Sequence, residues 1–233
     1  SLFIFIIIYK IFLIMDVNKH KYKIIDINNF TNHTYKLSCE RNNFEFKSGQ
    51  CVNIGLVGSG INREYSTYSS ENDNKLEFLI REIKGALVSE GLKKLDKGDY
   101  VQIHGSYGSF CINPSNINKK HIFIATGTGI APFSSFIKTY PDLKYDLIHG
   151  VSYENELYDY LFYKKECIHG CVSREKTKKH FYGRVTDFLK SYDLSNEFVY
   201  YICGNGNMIS EVYDHITSNS IESKNIFMES FFQ

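Results

Sequence analysis

Charge imbalance, paired cysteines, abundant proline and a membrane-length apolar run are all missing from this 233-residue chain. Lysine and arginine number 27 against 26 aspartates and glutamates, a formal net charge of +1. Bulk charge therefore gives no reason to invoke nucleic acid as a partner. The six cysteines, Cys39, Cys51, Cys111, Cys167, Cys171 and Cys203, form no Cys-x-x-Cys pair. A chain of this length needs no disulfide staples, so reduced thiols and a cytoplasmic setting are expected. Cys167, His169 and Cys171 alternate along a strand-like run with no fourth ligand close in sequence, which argues against a metal site. Three prolines beside abundant lysine and asparagine fit A/T-rich coding rather than any architecture. The first fourteen residues, SLFIFIIIYKIFLI, are almost wholly apolar but shorter than a membrane span, and Lys10 interrupts them. They lack the small-residue cleavage site of a signal peptide. Translation is expected to begin at Met15, with residues 1–14 upstream of the protein; the other reading is the end of a truncated membrane anchor.

The balance of 43% hydrophobic and 23% charged residues is ordinary for a globular chain, and the length suits two domains of roughly 100 residues each. Up to about residue 111 the chain reads as six short strands separated by regular turn signals: KYKIIDIN, TYKLSC, CVNIGLV, REYSTYSS, KLEFLIREIK and YVQIHG. One helical turn is expected at residues 89–95. That spacing predicts a small antiparallel barrel. From residue 121 the pattern changes to strands alternating with helices. HIFIA, YDLIHGV, CIHGCVS, EFVYYICG and NIFMES are the strands. Helices are expected after the first, over 154–166 (ENELYDYLFYKKE), over 185–191 and over 207–219. Alternation of this kind predicts a parallel sheet covered on both faces. The boundary falls between residues 15–115 and 116–233, and no internal repeat is present.

Three stretches carry chemistry. Arg63-Glu64-Tyr65-Ser66 places a cation and a ring on one face of an extended segment, with Ser66 on the other. Arginine can fork onto a phosphate, tyrosine can lie against a flat heterocycle, and serine can hydrogen-bond a ring atom. Gly55-Leu-Val-Gly58-Ser-Gly60 imitates a phosphate loop, but no helix signature follows, so a hairpin loop is expected. Gly127-Thr128-Gly129-Ile130-Ala131-Pro132 directly follows the strand ending at Thr126. Its two glycines let backbone approach a pyrophosphate, and Pro132 suits the first turn of a helix whose free N–H groups favour an anion.

Five motifs in order resemble the ferredoxin–NADP reductase superfamily. They are Arg63-x-Tyr65-Ser66; Gly85-Ala86-Leu87-Val88-Ser89; Gly98-Asp99-x-Val101 continuing to Gly105-x-x-Gly108-x-Phe110; Gly127-Thr128-Gly129-Ile130-Ala131-Pro132; and Cys203-Gly204-Asn205-x-x-Met208. The resemblance covers roughly residues 20–233. It implies a two-domain protein, a six-stranded Greek-key β-barrel that binds FAD followed by an α/β domain that binds NADP(H). It further implies that Arg63 contacts the flavin phosphates, that Tyr65 packs on the isoalloxazine and that Ser66 bonds near the reactive flavin nitrogen. Gly85, Leu87, Val88 and Ser89 would meet the FAD pyrophosphate. Thr126, Gly127, Thr128, Gly129, Ile130 and Pro132 would hold the nucleotide pyrophosphate, with Cys203, Gly204, Asn205 and Met208 beside the nicotinamide. Ser173-Arg174 and Arg184 resemble the positions that take the 2′-phosphate of NADP, with Lys178 and Lys179 between. Ser152 departs from the pattern, since bacterial reductases often carry arginine there. Glu229 would share a hydrogen-bonded group with Ser66 and Cys203, and Phe231 would cover the flavin face.

The implied activity is hydride transfer between NADP(H) and FAD, then single electrons to a separate ferredoxin or flavodoxin, because no iron–sulfur, haem or FMN site is encoded in these residues. A monomer is expected. The same half-reaction also suits the reductase component of an oxygenase or a reductase of the cytochrome b5 type. An electron-transfer flavoprotein subunit without nicotinamide activity is a third reading, opposed by the Gly127 loop and the Ser173-Arg174 pair.

Overall fold

The computed structural model describes residues 20–231, so the apolar run 1–14 and Met15 lie outside the described residues. β1 (Lys21–Asn29), β2 (Thr34–Glu40), β3 (Cys51–Leu56), β4 (Asn62–Ser66), β5 (Lys75–Arg81), helix α1 (Leu87–Lys93) and β6 (Tyr100–Tyr107) build the first half. The six strands run β4-β3-β6-β1-β2-β5, all pairs antiparallel. A bridge between Thr67 and Phe78 joins the two outer strands, which closes the barrel and removes its edges. Period-two alternation sends Leu37, Cys39, Val52, Ile54, Phe78, Ile80, Val101 and Ile103 into one core. Gly58 and Gly60 take φ of 78° and 70° between β3 and β4, so GLVGSG is the hairpin loop its context predicts.

The second half contains β7 (Lys120–Thr126), α2 (Ala131–Thr139), β8 (Lys144–Val151), β9 (Ile168–Val172), β10 (Phe181–Tyr182), α3 (Val185–Leu189), β11 (Val199–Gly204), α4 (Gly206–Ser218) and β12 (Ile226–Ser230). Its strands lie in the order β10-β9-β8-β7-β11-β12, and every pair is parallel. Both faces are covered, which is why HIFIA and VYYIC read as continuous apolar runs. Ile122, Ile124, Tyr200 and Ile202 meet α3 and α4 on one face. Phe123, Phe133, Phe136 and Tyr201 pack with α2 on the other. That second cluster also contains Tyr68, Leu79 and Phe110 from the barrel, so the two halves share a core.

The expected helix over 154–166 is absent. The chain instead makes three short 3-10 turns, Glu154–Glu156, Tyr160–Phe162 and Lys165–Cys167, with Asp159 between the first two at φ 48°. Tertiary contacts override helix propensity here. The Tyr158 hydroxyl donates to Thr34 Oγ1 at 3.1 Å, and the Asp159 carboxylate accepts from Lys36 at 3.3 Å and from the Tyr68 hydroxyl at 3.0 Å. A straight helix could not deliver both neighbours to the barrel. Beside this clasp, Lys138 of α2 donates to the Tyr68 carbonyl at 3.0 Å and lies 3.7 Å from the buried Glu77 of β5. The segment therefore ties one half to the other.

Candidate functional site

The carboxyl ends of the parallel strands face the open side of the barrel across a cleft of about 1440 Å³. A parallel sheet places its ligands at this end, where chain connections diverge to either side; here that point lies between β7 and β11.

On the barrel wall, Arg63, Tyr65 and Ser66 of β4 all line the cleft, joined by Arg81 of β5. Strand alternation alone would send Ser66 to the opposite face. It is the last residue of β4, however, and Thr67 already bridges to β5, so alternation no longer governs its direction. Arg63 is exposed and donates from Nη1 to the Asn62 carbonyl at 2.8 Å. Tyr65 packs against the barrel core, and burial pushes its hydroxyl up to about 12, so the phenol stays neutral. Leu87, Val88 and Ser89, the first turn of α1, also line the cleft. The first bond of that helix runs from Glu90 N–H to the Ala86 carbonyl. Gly85 is outside the lining, and its N–H donates to Glu90 Oε2 at 2.9 Å. The Ser89 hydroxyl accepts from Ile83 N–H at 3.1 Å. These two groups serve the turn itself.

On the opposite wall, Thr126, Gly127 and Thr128 reach the cleft, while Gly129, Ile130 and Pro132 are buried behind them. Gly127 takes φ 53°. A Cβ at Gly129 would fall 2.4 Å from the Cys203 carbonyl oxygen, so only glycine lets the loop lie directly on β11. The Thr126 hydroxyl accepts from Asn205 N–H at 3.2 Å, which ties the same two strand ends together. Gly204, Asn205 and Met208 line the cleft, and the Asn205 side chain caps α4 by accepting from Asn207 and Met208 N–H. Cys203 is fully buried and does not line the cleft.

At the far end, Ser173 and Arg184 line the cleft. Arg174 is exposed and outside the lining, with its N–H bonded to the Ser152 carbonyl at 3.0 Å. One neighbour was not anticipated: Glu156 lines the cleft and accepts from the N–H groups of Ser152 and Tyr153 at 2.8 and 3.0 Å. Reading residues 154–166 as a helix hid it. Arg81 was also missed, although the alternation of KLEFLIREIK carried it to the end of β5.

The two walls meet at Glu229. Ser66 Oγ donates to Glu229 Oε2 at 3.1 Å, and Cys203 stands opposite Glu229 in the β11–β12 register. Phe231 lies beside them in the lining, its N–H bonded to the Gly204 carbonyl at 3.0 Å. Burial, then the Glu229 carboxylate, pushes the Cys203 thiol well up, so it is a neutral group. Burial raises Glu229 from 4.5 to about 7, aided by Glu64 and opposed by the Ser66 hydrogen bond. The folded protein thus holds a proton that the unfolded chain releases near pH 4.5. This contributes stability that is complete below that pH and is lost as pH rises through about 7. Relative to Glu229→Gln, wild type is expected to lose up to about 3 kcal/mol of unfolding free energy across that window. Denaturant melts of both proteins at several pH values check it; parallel curves would place the carboxyl at its ordinary value.

Comparison with known proteins matches an oxidoreductase FAD-binding domain at residues 21–112 and an oxidoreductase NAD-binding domain at 123–214. The electron transfer component of toluate 1,2-dioxygenase from Pseudomonas putida is 30% identical over 83% of this chain; the chain spans 61% of that relative's length. A flavodoxin/ferredoxin–NADP reductase from Buchnera aphidicola is 29% identical over 88% of this chain and 92% of its own. Among solved structures, a ferredoxin NADP+ reductase from Neisseria gonorrhoeae with bound FAD and NADP superposes with a TM-score of 0.82 at 25% identity, covering 91% of this chain and 98% of the other. With both halves matched in order and one cleft lined from both, this chain belongs to the ferredoxin–NADP reductase superfamily of FAD-dependent oxidoreductases.

Proposed function

We propose that this chain exchanges hydride between NADP(H) and FAD and passes single electrons to a separate carrier, ferredoxin or flavodoxin. The observation that carries this reading is the single cleft walled by Arg63, Tyr65 and Ser66 on one side and by Gly127, Thr128 and Asn205 on the other. When bound, the flavin and the nicotinamide supply the hydride chemistry and the step from two electrons to one. The residues present fit both groups. The exposed Arg63 guanidinium suits the FAD phosphates, the Tyr65 ring a flavin face, and the first-turn N–H groups of Leu87, Val88 and Ser89 a pyrophosphate. The seat of Gly129 against β11 lets the Gly127 loop accept a second pyrophosphate at the start of α2. Glu229 and Ser66 hold a proton within the cleft, where they orient the nicotinamide end. We assign FAD binding to residues 15–115 and NADP binding to 116–233, in a cytoplasmic monomer. Among the described residues no helix is long and apolar enough to cross a membrane.

Ser173 and Arg184, with Arg174 just outside, suit a 2′-phosphate, whereas Glu156 and Ser152 at the same end reduce the preference that an all-basic pocket would give. A second reading, the reductase component of an oxygenase, is favoured by the toluate dioxygenase relative. Steady-state assays of the FAD-loaded protein separate the two. NADPH is expected to be used at lower concentration than NADH, with ferredoxin or flavodoxin reduced in turn. NADH preference with no reduction of either carrier would select the oxygenase reading.

A further inference from the structure

His149, on β8, is fully buried behind the Gly127 loop. Its Nε2 lies 2.8 Å from the Gly127 carbonyl oxygen. A carbonyl only accepts, so Nε2 must carry the proton. Its Nδ1 is buried with no hydrogen-bond partner, which is tolerable for a lone pair and costly for an N–H. Both nitrogens therefore select one form of the ring, neutral with the proton on Nε2. Tyr158 and Tyr160 hold the ring, their centroids 6.1 and 6.4 Å from its own. Burial also pushes the imidazole down to about 4, so neutrality persists across the physiological range.

The carbonyl it holds occupies a sensitive place. Gly127 sits at φ 53°, a conformation that glycine adopts freely and leaves as freely. Gly127 opens the 3-10 turn Gly127–Ile130, and rotation of the peptide unit that follows it would swing the Thr128 N–H away from the cleft. The next residue, Thr128, lines the cleft. Fixing the Gly127 carbonyl on the inner side fixes the Thr128 N–H on the outer side, because the two belong to one planar unit and point oppositely.

We infer that His149 is a positioning residue for the pyridine nucleotide: its Nε2–H anchors the Gly127 carbonyl and so presets the peptide between Gly127 and Thr128 for the pyrophosphate. The inference rests on the proposed binding of the nucleotide at this loop. His149 touches no ligand. Tyr158, which contacts the ring, also bonds Thr34 of the barrel, so one buried side chain links the nucleotide loop to the segment that joins the two halves.

The test compares His149→Phe, which keeps a ring without the donor, with His149→Gln, whose side-chain amide can return an N–H to the Nε2 position. On the FAD-loaded protein, calorimetric titration with NADP+ is expected to show about tenfold weaker binding for His149→Phe and recovery to within about threefold for His149→Gln. FAD retention should be equal in all three. Nitrogen-15 spectra of histidine-labelled wild type should show one ring, fixed in the Nε2–H form. Undiminished NADP+ binding by His149→Phe, or equal weakness in both variants, would overturn the positioning role while leaving the nucleotide site in place. Should His149→Phe fail to fold, His149→Gln and the wild-type spectrum decide: a ring protonated on Nδ1 or doubly protonated at neutral pH overturns the inference. Failure of wild type itself to bind NADP+ would remove the site and the inference together.

Discussion

A Gly129→Ala variant is expected to keep its FAD and lose reduction by NADPH. The added methyl would lie 2.4 Å from the Cys203 carbonyl oxygen and 2.7 Å from its carbon. Both are backbone atoms of β11, a strand paired on both sides with β7 and β12, so neither can step aside. The loop must lift, and its distance from β11 is what sets the cleft wall. Overpacking of this kind costs about 1–3 kcal/mol, on the order of 10–100-fold in nucleotide affinity if the strain falls on the loop. The FAD wall is built from the barrel's own core, which Gly129 does not enter. Dithionite should therefore still bleach the flavin in the variant. Normal NADPH kinetics would show that the loop does not bind the nucleotide. Loss of FAD as well would show that the two walls are not independent.

Tyr65→Ala is the counterpart on the other wall. Tyr65 is half-buried, rests on the barrel core and turns its remaining surface to the cleft. Removing the ring deletes the proposed platform for a flat heterocycle and part of the packing that holds β4 in place. The expected loss is about 1.5–3 kcal/mol, roughly 10–100-fold in FAD affinity. Tyr65→Phe should retain FAD nearly as wild type, because the hydroxyl is neutral and the ring carries the contact. Gel filtration followed by absorbance of the protein peak reads the outcome. Equal flavin content in wild type and Tyr65→Ala would remove Tyr65 from the binding wall.

Most of the architecture was legible because it rests on local rules. Period-two alternation in KLEFLIREIK and TYKLSC, turns at Gly58 and Gly98, and continuous apolar runs in HIFIA and VYYIC each specify a strand without reference to distant residues. The change from alternating to continuous apolar runs separates the barrel strands, ending with β6 at Tyr107, from the parallel sheet, beginning with β7 at Lys120. Residues 154–166 were misread for the opposite reason. ENELYDYLFYKKE has an acidic start and a basic end that suit a helix, but Tyr158 and Asp159 bond to Thr34, Lys36 and Tyr68, more than eighty residues away in sequence. No local rule reports such partners.

The site was legible where motif residues contact ligand-sized space through strand ends, as with Arg63, Gly127 and Asn205. It was less so where a side chain acts on the cleft through another residue's backbone. The bond from Gly85 N–H to Glu90, the Glu156 carboxylate on Ser152 and the His149 anchor behind Gly127 are all side chains acting on backbone groups. Their spacing carries no periodic signal. Cys203 illustrates the converse: a motif position whose side chain the strand buries completely.

On the proposed reading two ligands meet in one cleft, one held by each wall. Anaerobic rapid mixing of the FAD-loaded protein with NADPH tests it most directly. The yellow flavin absorbance is expected to disappear in a single phase whose rate saturates with NADPH concentration. A flavin that stays oxidised under NADPH and NADH alike, yet bleaches with dithionite, would contradict it.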